Sequence, residues 1–317
     1  MNHLESAFTG KNNLWRYLLM IAAVFIVSNT IGAIPLLIGL VIKSLSNPNV
    51  FSVLSANPND FSVTGISMNA MLVLMLFPFI AGLAAIILLI KPLHSRTFKS
   101  VINGTSGIRW NRFFISFIIW LGLSALYLIF YLNISPQNFL INNKSYSIII
   151  LAAISLCLIP FQAGFEEVLF RGYLMQGFTT IIRYRWFPLI MTSVLFGLMH
   201  AFNPEVREFG FFTMMPQYIL FGLIFGVITI LDDGIEAAIG AHAANNIFLC
   251  VMVTNKSSAL QTAAFYEQQN IYPWIEMAAF LITGIIFILI LKMIFRWKGL
   301  TVISEIIEMP VKSDSVN

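Results

Sequence analysis

The chain has 317 residues, of which 58% are hydrophobic and only 10% charged, with a formal net charge of +4. A soluble chain of this length has no interior large enough for so much apolar surface, so the composition excludes an ordinary soluble domain and indicates a polytopic membrane protein. The small, dispersed positive charge argues against nucleic acid as a partner, and Cys157 and Cys250, both in apolar stretches, supply neither a disulfide framework nor a cysteine metal motif.

Windows long enough to cross a bilayer fall at 17–42, 68–90, 113–131, 147–170, 186–200, 217–231, 237–253 and 275–294. The first is longer than the apolar region of a signal peptide and lacks a small-residue cleavage site at its end, so it reads as a retained span. The fifth and sixth are short, which suits tilted, bent or partly re-entrant helices. The expected fold is an all-α, polytopic transmembrane helical bundle of about eight spans. Residues 1–146 form a three-span N-terminal region, 147–253 a core, and 254–317 an external loop, a last span and a tail.

Basic residues orient the bundle. Lys11 and Arg16 precede the first span, Lys91, Arg96, Lys99, Arg109 and Arg112 follow the second, and Arg183 and Arg185 follow the fourth. Lys292, Arg296 and Lys298 follow the eighth. These groups fall on one side of an eight-span path, which makes both termini cytoplasmic and the connections at 43–67 and 254–272 external. Three Asn-x-Ser patterns, at Asn133, Asn143 and Asn255, arise by chance in an Asn-rich chain. Trp15, Trp110, Trp186, Trp274 and Trp297 lie near span ends, where an indole meets both apolar and polar layers.

The fourth window carries what a lipid-facing helix excludes: Glu166, Glu167 and, just beyond, Arg171. Ionisable groups at membrane depth are costly and usually face a bundle interior, where they serve a function. Glu167 and Arg171 are four apart and form an ion pair on one helical face, whereas Glu166 points about 100° away, toward a cavity. Later windows supply partners. Phe196 and His200 share a face, as do His242 and Asn246, while His3 and His94 lie outside the spans. At about 1.5 Å per residue, Glu166 lies about 25 Å from Arg183 and His200 about 21 Å from Trp186, if helix continues through Gly172 and Gly177. On the same scale His242 lies about 15 Å inward of Asp232, so the polar groups reach compatible depths.

Two chemistries fit this set. Glu166, His200 and His242 with a water would make a tetrahedral zinc site, although the segment H-E-x-x-H is absent. Without metal, Glu166 with His200 activates water, and His242 with Asn246 stabilises the developing oxyanion. No serine sits in an elbow-like motif and neither cysteine has an adjacent base, which disfavours a covalent nucleophile. Three other readings compete: a packing network built from Glu166, Glu167 and Arg171, a catalytically silent peptide-binding or immunity scaffold, and a transporter. For the last, Gly222-x-x-x-Gly226 reads better as a packing contact, and no inverted repeat supports transport.

The ordered set Glu166-Glu167-x-x-x-Arg171, Phe196-x-x-x-His200 and His242-x-x-x-Asn246 resembles the CPBP intramembrane proteases, which include CAAX prenyl endopeptidases and bacterial bacteriocin self-immunity proteins. The resemblance runs from about Ser147 to Val253, and Phe165-Glu166-Glu167-Val168-Leu169-Phe170-Arg171-Gly172 is similar to the family's first motif. It implies an endopeptidase in which Glu166 activates water with help from His200, and His242 and Asn246 stabilise the oxyanion or help hold metal. Glu167 and Arg171 would support the site. The chain departs from the pattern at Asp232-Asp233-Gly234-Ile235, where small residues and a tryptophan are usual. The implied setting is a bacterial cytoplasmic membrane, with lipid and a membrane-associated peptide or protein as partners.

Overall fold

The computed structural model describes residues 3–56, 61–105, 107–142 and 146–309. Its α-helices are α1 (Leu14–Asn29), α2 (Ile34–Ser46), α3 (Val50–Ala56), α4 (Met68–His94), α5 (Phe98–Ile102), α6 (Trp110–Ile134) and α7 (Ser147–Glu167), then α8 (Met175–Thr179), α9 (Trp186–Met199), α10 (Pro204–Phe209), α11 (Phe211–Asp232), α12 (Glu236–Met252) and α13 (Pro273–Phe295). A π-helical turn, Val168–Leu174, joins α7 to α8 without a break, so helix does continue through Gly172 and Gly177. The Asn143 pattern lies outside the described residues.

Among the described residues, six helical stretches, not eight, are long and apolar enough to cross a membrane: Leu14–Ser46, Met68–His94, Trp110–Ile134, Ser147–Thr179, Phe211–Asp232 and Pro273–Phe295. The expected fifth and seventh windows are helical but fall short. Helix α9 has 14 residues and α12 has 17, about 21 and 25 Å against a hydrocarbon core of about 30 Å. The first stretch bends between α1 and α2, where a Cβ on Gly32 would come within 2.5 Å of the Pro78 backbone in α4. Helices meet at a proline that has itself interrupted its helical hydrogen-bond ladder.

Packing explains why α12 is the least apolar of the long helices. It lies between α6 and α7, and Ala237, Ala238, Ala241, Ala243 and Ala244 are fully buried. A Cβ on Gly240 would strike the backbone carbonyl of Phe113, so α6 and α12 touch almost backbone to backbone. A helix sheathed by protein needs small contact residues rather than lipid-compatible ones. Helices α9 and α11 approach in the same way. Gly222 faces the Ser193 backbone and Gly226 faces Leu189, which identifies the Gly222-x-x-x-Gly226 pair as a helix contact. The outer faces of α1, α6 and α13 expose Leu18, Phe25, Ile118, Phe130, Ile282 and Met293, as a lipid-facing bundle requires.

Two different ends result. At the basic end, Asp232 binds Arg109 at 3.0 Å and Arg112 at 3.1 Å, and Glu236 binds Arg109 at 2.6 Å. Trp297 Nε1 donates to Asp232 at 2.8 Å, so this indole is buried in a charge network and is not an interfacial anchor. Asp233, in the left-handed region at φ 55°, accepts from the His3 amide. His3 and His94 are likewise buried, not peripheral. His3 Nε2 donates to the Arg171 carbonyl at 3.0 Å, and His94 bridges the Lys11 carbonyl and the Tyr173 hydroxyl, both at 2.8 Å. Burial pushes the His3 imidazole below its usual pKa, which keeps it neutral at this contact.

At the opposite end the connection at 254–272 folds onto the bundle. Strands β1 (Phe139–Ile141), β2 (Val253–Thr254) and β3 (Tyr266–Gln268) form a small sheet in the order β1-β3-β2. Phe139 pairs with Gln268 antiparallel and Val253 with Tyr266 parallel, which ties the approach to α7 to the exit from α12.

Candidate active site

Helix α7 delivers Gln162, Glu166 and Glu167 into the centre of the bundle, where Glu166 is 4% and Glu167 0% exposed. Gln162 and Glu166 are one turn apart, and Gln162 Nε2 donates to Glu166 Oε1 at 2.5 Å. Glu167 turns the other way. Its Oε1 accepts from Arg171 Nη1 at 3.0 Å and from His242 Nδ1 at 2.7 Å. Arg171 is fully buried, with its guanidinium 4.3 Å from the Phe196 ring centroid. Phe196 is therefore a platform for the arginine as well as a neighbour of His200. The π-helical turn starts immediately after Glu167. Gly172 within it lets Val101 approach, since a Cβ there would lie 2.8 Å from Val101 Cγ1.

His242 is held on both sides. With Nδ1 donating to Glu167, Nε2 faces Glu166 Oε2 across 3.7 Å, too far for a direct hydrogen bond and suited to a single bridging oxygen. Phe225 stacks on the imidazole at 5.6 Å and Phe221 meets its edge at 4.8 Å, so packing as well as hydrogen bonding fixes the ring.

His200 occupies the C-terminal cap of α9. Its Nδ1 donates to the Phe196 carbonyl at 2.8 Å and its ring stacks on Tyr218 at 4.5 Å. That bond assigns the proton of a neutral ring to Nδ1 and leaves Nε2 as an acceptor. The hydrogen bonds of Glu166 and His200 go to different partners, but both residues line one cavity of about 780 Å³, together with Gln162, His242 and Asn246.

The spacing of His242 and Asn246 does not reveal how Asn246 is used. Asn246 Nδ2 donates to Gln162 Oε1 at 3.0 Å and its own Oδ1 accepts from Asn245 Nδ2 at 3.0 Å. Asn245 Oδ1 in turn accepts from Trp120 Nε1 at 3.3 Å. The indole and three carboxamides thus donate in one direction, ending on the Glu166 carboxylate. Trp120, Asn245 and Gln162 were not among the expected site residues. For Gln162 the signal was available, since it lies one helical turn before Glu166.

The zinc alternative is overturned. Among the described residues, no group of three or more His, Cys, Asp or Glu is placed to hold a metal ion. Glu166, His200 and His242 do not converge as ligands.

Residues 146–248, which contain Glu166, Glu167, Arg171, Phe196, His200, His242 and Asn246, match the family model described as type II CAAX prenyl endopeptidase Rce1-like. The chain is also similar to an uncharacterized protein of Bacillus subtilis (strain 168), YyaK, with 30% identity over 268 residues, 81% of this chain and 84% of that protein. No solved structure matches it.

Proposed function

Because this chain belongs to the broad family of Rce1-like proteins, we propose that it is an intramembrane endopeptidase that hydrolyses a peptide bond with water activated by Glu166. The observation that carries this reading is the 3.7 Å gap between Glu166 Oε2 and His242 Nε2, on the wall of a cavity that His200 also lines. We assign the gap to the attacking water. Glu166 takes one proton as the water oxygen bonds to the carbonyl carbon. His242 Nε2, an acceptor while Nδ1 donates to Glu167, takes a hydrogen bond from the attacking water, and the second amide hydrogen of Asn246 stabilises the oxyanion. Collapse of the tetrahedral intermediate breaks the C–N bond, and the proton passes to the leaving amine from Glu166 or by way of His200. Gln162 holds Glu166 Oε1 and leaves Oε2 for the reaction.

The same reading assigns a direction of entry. The cavity reaches Phe139, Asn255, Ser258 and Ile271 at the sheet end, whereas arginine–carboxylate pairs knit the basic end together. Substrate therefore enters from the sheet end, which the positive-inside bias makes the non-cytoplasmic side of a cell membrane.

The test is purified protein in lipid nanodiscs against a peptide library, wild type beside Glu166→Gln, with products read by mass spectrometry. Wild type yields defined fragments, and Glu166→Gln loses at least about 1,000-fold in rate. Equal cleavage by the two proteins removes Glu166 as the base, and cleavage by neither removes the peptidase reading.

A further inference from the structure

Among the described residues, the cavity wall carries the carboxylates Glu166, Glu205 and Glu276 and no lysine or arginine. Glu166 is buried and Glu205 and Glu276 are half-buried, whereas the other buried acids of the chain hold arginine. Glu167 holds Arg171, Asp232 holds Arg109 and Arg112, and Glu236 holds Arg109. A carboxylate withdrawn from water is costly unless a cation compensates it, and elsewhere in this fold an arginine does so.

Glu276, in the first turn of α13, has only neutral partners: Gln268 Nε2 donates to Oε1 at 2.8 Å and the Tyr127 hydroxyl to Oε2 at 3.3 Å. Glu205, in α10, accepts from the Ala259 amide at 2.8 Å, and burial raises its pKa. Neither forms an ion pair with lysine or arginine among the described residues. Around them the wall is aromatic. Tyr127 and Tyr131 stand 5.8 Å apart and Tyr131 meets Phe139 at 5.0 Å, offering ring faces that attract a cation as well as an apolar chain.

We propose that the negative wall to which Glu276 and Glu205 contribute selects a cationic side chain on the substrate, which makes that substrate an apolar peptide that carries a lysine or arginine. This rests on the peptidase reading above and names its substrate class. The cation supplies the compensation that the chain withholds at these two acids. Gln268 and Tyr127 fix the Glu276 carboxylate before substrate arrives, and the aromatic wall takes the apolar flanks.

The test separates binding from catalysis. Full-length Glu166→Gln protein in nanodiscs, which retains Glu205 and Glu276, is titrated with three fluorescent decapeptides of Leu, Ala and Phe. They differ only in one central residue: lysine, norleucine or glutamate. The lysine peptide is expected to bind about tenfold more tightly than the norleucine peptide, and the glutamate peptide most weakly. Adding the isosteric Glu276→Gln change is expected to remove most of the lysine preference while the norleucine peptide binds as before. Equal binding of the lysine and norleucine peptides, a preference that survives Glu276→Gln and Glu205→Gln together, or no binding of any peptide overturns the proposal. Cleavage by wild-type protein without charge preference would leave the peptidase reading standing, so the two failures are distinguishable.

Discussion

Glu167 Oε1 is the point at which the site is anchored, because a single oxygen receives both Arg171 and His242. Removing either charged partner leaves the other buried without compensation. Arg171→Ala and Glu167→Ala are each expected to destabilise the protein by about 3–5 kcal/mol, seen as a large drop in thermal unfolding temperature in detergent. Unchanged unfolding of Arg171→Ala would show that the pair is not structural. Gln162 acts on the neighbouring carboxylate and carries no charge. Gln162→Ala, which leaves Glu166 Oε1 and Asn246 Nδ2 without their partner, is expected to destabilise by about 1–3 kcal/mol while kcat falls about 10- to 100-fold, the worth of one hydrogen bond to a charged group. A KM effect at constant kcat would instead make Gln162 a substrate contact. That the two glutamates face different partners was legible at this scale, since a helix must turn neighbouring side chains about 100° apart. The carboxamide relay was not, because Asn245 and Trp120 come from α12 and α6 and no spacing links them.

Among helices, depth and sheathing matter more than hydropathy. Helices α9 and α12 carry His200, His242 and Asn246, yet neither is long and apolar enough to count as a span. Helix α12 is enclosed by longer helices, whereas α9 is buried against α11 and exposed at Ile190 and Leu198, and close approach at Gly197, Gly222, Gly226 and Gly240 makes these packings possible. Gly222 is the most sensitive test, because a Cβ there would sit 2.7 Å from the Ser193 Cα, a backbone atom that cannot rotate away. Gly222→Ala is expected to cost about 1–3 kcal/mol and to lower activity by displacing α9 and His200. Gly122→Ala, facing open space, is the control expected to change neither. Full stability of Gly222→Ala would mean that α9 and α11 do not pack as closely as described. Hydrophobic windows located these helices but did not reveal that α12 is interior, since a window sums apolarity without showing what surrounds it.

The whole molecule is polarised between a basic, ion-paired end and an aromatic, acidic end. This polarity underlies the proposed side of substrate entry, and it makes orientation measurable. In a Cys157→Ala/Cys250→Ala background, Lys256→Cys is expected to react with a membrane-impermeant maleimide in intact cells, and Lys298→Cys only after permeabilisation. Both lysines are exposed, one at each end, so the reverse pattern would invert the proposed entry side. The basic end also shows the limit of charge counting. Positive residues there were read as orienting groups, yet Arg109 and Arg112 are committed to Asp232, and Arg96 hydrogen-bonds Gln176 and Ser6. The departure at Asp232-Asp233-Gly234 is thereby explained: Asp232 closes this end against α6 and Trp297, and Asp233 takes the N-terminal segment.

The sequence by itself determined that the chain is helical and membrane-embedded, and that two glutamates of opposite helical phase, two histidines and an asparagine lie at compatible depth. Apolar runs, helical periodicity and the expense of charge in lipid are local properties that a linear sequence displays. Only the tertiary structure decided which helices are long and apolar enough to cross a membrane, that His200 turns toward Tyr218, and that Glu166 ends a relay of amides. Those outcomes depend on which surfaces exclude one another when helices pack, and such contacts join residues that have no fixed separation along the chain.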